Sequence, residues 1–177
     1  MTAGLRKIGL LLWFLSLWCS LATAQLRREP LNPVEIDQLR NAAQEPEARI
    51  KLYIQFARSR LLALEQMRAD PKVTDRAQQT HDSLQNFLDV YDELNDNIDT
   101  FVERRADLRK PLKAVIEADT EFQAKLRALK ASSHATQDEA QKYRFLLDNV
   151  TDAVDGGAQD HRQLLTEEEE AAKHKKK

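Results

Sequence analysis

The strongest pattern along the chain is a seven-residue repeat of apolar positions running from Leu84 to Leu129. Its d positions are Phe87, Leu94, Phe101, Leu108, Val115, Phe122 and Leu129, and its a positions are Leu84, Tyr91, Ile98, Arg105, Leu112, Asp119 and Leu126. Such a pattern lays one narrow apolar seam along a helix, and a second helix must cover it. Only Arg105 and Asp119 interrupt the seam. On one continuous helix they stand roughly 21 Å apart, too far to pair. Either each keeps its charge at the rim on a snorkelling stem, or they set register and mark a partner-binding spot.

Pro111 lies at position g of the same repeat, and a proline inside a helix costs about 3 kcal/mol. Because the repeat passes through it in phase, the spacing predicts one helix over about 75–131, kinked at Pro111 and roughly 85 Å long. A break at Arg109-Lys110 that folds the halves into a compact bundle is the competing arrangement.

The flanking segments carry shorter seams. Asn32, Pro33 and Glu35 form an N-cap, a first-turn proline and a capping-box acid, predicting a short helix over 33–43. Pro46 opens a helix whose Ile50, Ile54, Ala57, Leu61 and Leu64 are spaced 4, 3, 4, 3, and which ends at Asp70-Pro71. The tight connection that follows predicts an antiparallel hairpin with the long helix. Residues 77–102 hold Asp82, Asp89, Asp92, Glu93, Asp96 and Asp99 and no Lys or Arg, whereas the preceding helix holds Arg49, Lys51, Arg58, Arg60 and Arg68. Charge is therefore expected to select that helix as partner. After Ser132-Ser133-His134, Thr136 and Glu139 repeat the capping box. The stripe Tyr143, Leu146, Leu147, Val150 and Val154 then predicts a helix over 137–155, stopped by Gly156-Gly157. A polar helix over 159–172 and a lysine tail close the chain.

The expected fold is all-α: elongated antiparallel helical hairpins in a three-helix bundle built on the kinked long helix. The expected organisation is a signal peptide (1–24), a flexible lead-in (25–32), the helical domain (33–157) and a charged C-terminal helix and tail (158–177).

Composition narrows the function. Arg6 and Lys7, the apolar run Ile8–Leu21 and Ala22-Thr23-Ala24 are the three parts of a secretory leader. The run falls short of the roughly 20 residues of a membrane span. The expected protein is thus exported, periplasmic or secreted, with no membrane span once the leader is removed. Cys19, Trp13 and Trp18 all lie in the leader, so the remainder can form neither disulfides nor thiolate metal sites. Losing Arg6 and Lys7 takes the formal charge of −2 to −4, which gives nucleic acid no reason to bind.

Residues 25–155 contain no glycine, which removes the phosphate-cradling and dinucleotide motifs. None of His81, His134, His161 and His174 follows a Glu by three, as a di-iron bundle requires. No catalytic, cofactor or metal residues are assigned, and an enzyme is not expected. The expected function is a non-catalytic helical protein acting by protein–protein contact, structural or adaptor, with Arg105, Asp119, Asp89, Asp92, Asp96 and Asp99 as candidate register or partner-binding residues and a homo-oligomer as a possible assembly. Leu31-Asn32-Pro33-Val34-Glu35 and Leu165-Thr166-Glu167-Glu168-Glu169 resemble the Leu-Thr-x-x-Gln signatures of Spy/CpxP-type periplasmic helical chaperones, with Glu for Gln in both and Asn for Thr in the first. That resemblance implies the alternative function, a chaperone-like client binder.

Overall fold

The computed structural model describes residues 29–132 and 136–174. The expected leader (1–24), part of the lead-in (25–28), the loop residues 133–135 and the end of the lysine tail (175–177) lie outside the described residues. Every described element is helical: α1 Pro33–Asn41, α2 Pro46–Ala69, α3 Arg76–Glu103, α4 Arg109–Ala131 and α5 Gln137–His174.

The first helix starts as its sequence dictates. The Asn32 carboxamide oxygen accepts from the N–H of Val34 and Glu35, and the Glu35 carboxylate accepts from the Asn32 N–H in return. The same carboxylate receives both guanidinium nitrogens of Arg60, at 2.9 and 2.6 Å, which straps α1 onto α2.

The expected continuous helix over 75–131 does not form. The chain leaves α3 at Arg104, turns through 104–108 and re-enters helix at Arg109. Two backbone bonds close the end of α3: Ala106 N–H donates to the Phe101 carbonyl (3.0 Å) and Arg105 N–H to that of Val102 (2.9 Å). This is a Schellman ending, with Arg105 in the left-handed region at a φ of 56°. Pro111 then falls in the first turn of α4, behind the N-cap Leu108, where a backbone N–H has no intrahelical partner to lose. It starts a helix and kinks none. Asp107 accepts from the Arg109 N–H at the same junction.

The reversal lets α3 and α4 face each other. The Phe87 and Phe122 rings meet edge to face at 5.3 Å, and Tyr91 meets Phe122 at 6.3 Å. Residues 87 and 122 of one straight helix would stand roughly 50 Å apart. In cross-section α2 packs on α3 and α4, and α5 packs on the same two, so α3 and α4 occupy one diagonal of a four-helix bundle. Bonds from Arg49 to Asn97 and from Arg68 to Thr80 run α2 antiparallel to α3. Those from Arg58 to Glu121 and Lys125 to Glu65 run α2 parallel to α4. The connection 104–108 therefore crosses the end of the bundle diagonally.

The Gly156-Gly157 stop also fails to appear, because α5 continues through both glycines to His174 and buries Ala158 and His161 beyond them. Three of the five cations of α2 form salt bridges with helices other than α3. Arg58 turns to Glu121 of α4, Arg60 to Glu35 of α1, and Arg68 to Glu139 of α5.

The left-handed Arg105 carries strain that glycine would not. Relief of about 1–2 kcal/mol exceeds glycine's extra unfolded-state entropy, so Arg105→Gly is expected to stabilise the fold by about 0.5–1 kcal/mol. Urea unfolding should show a higher midpoint at unchanged slope.

Candidate functional site: a buried carboxylate beside an acidic groove

Asp119 projects from α4 into the centre of the bundle and is 0% exposed. An isolated carboxylate there is strongly disfavoured, so its oxygens need donors. Tyr91 of α3 donates its hydroxyl to Oδ1 at 2.9 Å, and Nδ1 of His161, on α5, meets Oδ2 at 2.8 Å. Three helices thus meet on one side chain. Burial first, then the charge of Asp119, then the hydrogen bond to it, hold the Tyr91 hydroxyl far above the ordinary tyrosine range.

The network needs room that only glycine leaves. A Cβ on Gly157, one turn before His161, would stand 2.5 Å from the Tyr91 hydroxyl oxygen, whereas one on Gly156 would meet nothing within 4 Å. Tyr91 cannot swing aside, because it is stacked on Phe87 at 5.9 Å and edge-on to Phe122.

His161 also lines a groove of about 620 Å³ between the second half of α3 and the middle of α5. Around it stand Asp99, Asp152, Asp160 and Glu167, and no Lys or Arg lines it. Asn95 lines it too, and its Oδ1 is buried without a hydrogen-bond partner. Among the described residues no three His, Cys, Asp or Glu side chains assemble as a metal-binding group. No helix of the described chain is long and apolar enough to cross a membrane.

The sequence candidates separate into different surroundings. Asp119 is the core of the network, whereas Arg105 is exposed in the turn at the bundle end. Asp99 lies on the groove; Asp89 is half-buried and accepts from Gln85 at 2.7 Å; Asp92 and Asp96 are exposed on α3. His161 and Tyr91 were not among the candidates. The signal for His161 was present: Val150, Val154, Gly157, His161 and Leu164 continue the α5 stripe at spacings of 4, 3, 4, 3 once the glycines are read as helix. Comparison with protein-family models, characterised proteins and solved structures finds no match.

The two glycines are expected to respond oppositely to alanine. Gly156→Ala should stabilise by about 1 kcal/mol through helix propensity. Gly157→Ala should destabilise by roughly 1–3 kcal/mol through overpacking, and because Tyr91→Phe removes the oxygen it would collide with, the double variant should lose less than the sum of the two single variants. Chemical denaturation of the natural protein, the three single variants and the double variant checks this.

The raised Tyr91 makes folding bind a proton that the unfolded chain releases near pH 10. Its contribution is fully present below that pH and lost above it, at up to about 1.4 kcal/mol per pH unit. Tyr53, raised chiefly by burial, adds a slope of its own. Unfolding free energies measured across the alkaline range should therefore fall less steeply for Tyr91→Phe than for the natural protein.

Proposed function

We propose that the chain is a non-catalytic, exported helical protein of the cell envelope that works by contact, taking a basic segment of a protein partner into the groove between α3 and α5. The observation that carries this reading is the charge of that groove. Asp99, Asp152 and Asp160 make no salt bridge with any described cation, and Glu167 is engaged only by Gln163. On other faces of the bundle several carboxylates are matched by cations: Glu65 holds Lys125, Glu121 holds Arg58 and Glu139 holds Arg68. A groove of one sign attracts and orients a partner of the other, and the attraction weakens with salt. The leader-like run of residues 1–24 supports export.

Client binding of the chaperone type draws on broad apolar surface. The exposed large apolar side chains among the described residues, Val34, Leu62 and Phe145, stand singly on α1, α2 and α5. The acidic groove is therefore the better-supported contact surface, and Ile98, Val102 and Leu164 give it an apolar floor for the stems of long basic side chains.

A fluorescent oligo-arginine peptide is the probe. It should bind saturably, more weakly as salt rises, and Asp99→Lys with Asp160→Lys should weaken it at least about tenfold, roughly 1.4 kcal/mol. Reversing two exposed acids away from the groove, Asp37→Lys on α1 with Glu117→Lys on α4, changes net charge equally and should leave most of the affinity. Equal loss in both double variants, or in neither, would retire the groove as the contact site.

A further inference from the structure

A second cavity lies at the opposite end of the bundle, where α2 ends, α3 begins and α4 ends. It is a half-open hollow of about 380 Å³, floored by Leu61, Leu64, Leu126 and Leu129. Three cations, Arg68, Arg76 and Lys125, stand on its wall beside one acid, Glu65.

The partners of these cations differ. Lys125 is held by both oxygens of Glu65, at 2.7 and 2.9 Å. Arg68 donates to Thr80 at 2.9 Å and to Glu139 at 3.2 Å, and its guanidinium lies over the Tyr143 ring at 5.5 Å. Arg76 has no carboxylate among the described residues. Its Nη2 reaches only the Asp70 carbonyl, at 3.3 Å, and its Nε is buried with no acceptor. The terminal guanidinium nitrogens make only that one long bond, which leaves N–H donors for a ligand oxygen.

We infer that this cavity binds a medium-chain aliphatic carboxylate, its alkyl chain among the four leucines and its carboxylate on the Arg76 guanidinium. Size, lining and charge each point the same way. The space is within the range of small-molecule sites, and is more than twice the roughly 150 Å³ cavity that accepts a benzene ring. The leucine floor favours an unbranched apolar chain over a polar metabolite. The planar fork of an arginine matches a carboxylate, and Arg76 is the wall cation with that capacity unused. The site shares no lining residue with the α3–α5 groove, so it stands or falls independently of the contact role proposed there.

Decanoate, kept below its micelle concentration, is the test ligand, with decanol as the neutral counterpart of equal length. Titration calorimetry on the purified protein should show saturable one-to-one binding of decanoate, and decanol should bind at least tenfold more weakly. Arg76→Gln should weaken decanoate at least tenfold and leave decanol unchanged. Ala128→Trp, at an exposed position on the cavity wall, should abolish both while the helical circular dichroism stays that of the natural protein. The inference is overturned if decanoate does not saturate, if decanol binds as well as decanoate, or if Arg76→Gln binds decanoate like the natural protein. Arg76→Gln alone decides the matter if the tryptophan variant proves unstable.

Discussion

Everything in this bundle is arranged around a carboxyl group that has no route to water. The carboxylate of Asp119 can be ionised at the centre only if donors reach both oxygens, and those donors come from two other helices. Removing one partner of such a buried set typically costs about 3–5 kcal/mol, a large fraction of a domain's whole stability. An all-apolar seam tolerates sliding and repacking; a carboxylate with two fixed donors tolerates neither. The network also demands the chain reversal at 104–108, since Tyr91 and Asp119 on one helix would be roughly 42 Å apart. The helix α2 stands outside the network and is attached by packing and by side-chain pairs along its flank.

Much of the helical content was legible, and for identifiable reasons. The Asn32-Pro33-Glu35 box fixed the start of α1, and Pro46 and Asp70-Pro71 framed α2 at the bounds it adopts. The reversal was not legible. Apolar periodicity reports which face of a segment is covered, not which way the segment runs, and the turn happens to keep Phe101, Leu108 and Val115 all facing inward. The usual marker of a Schellman ending is glycine, and here the left-handed place is held by Arg105. Pro111, three residues past the N-cap, looks like an interior proline until the cap itself is seen.

The glycine pair misled in the opposite direction. Two adjacent glycines read as a stop because flexibility is the common reason for them, but in α5 the reason is space. With the helix cut there, His161 fell on a separate polar helix, away from the apolar stripe it continues. Asp119 was visible as an interruption of the seam, yet its partners lie 28 and 42 residues away in sequence, beyond the reach of any local pattern.

The missing side chain at Gly157 acts as a keyway. One turn toward the N-terminus the helix offers Ala153, and one turn toward the C-terminus His161, so a one-turn slip of α5 would drive a Cβ into the Tyr91 phenol. The ratcheting by which packed helices commonly signal to one another is therefore blocked along this axis. That one contact ties the heights of Asp152, Asp160 and Glu167 on α5 to that of Asp99 on α3.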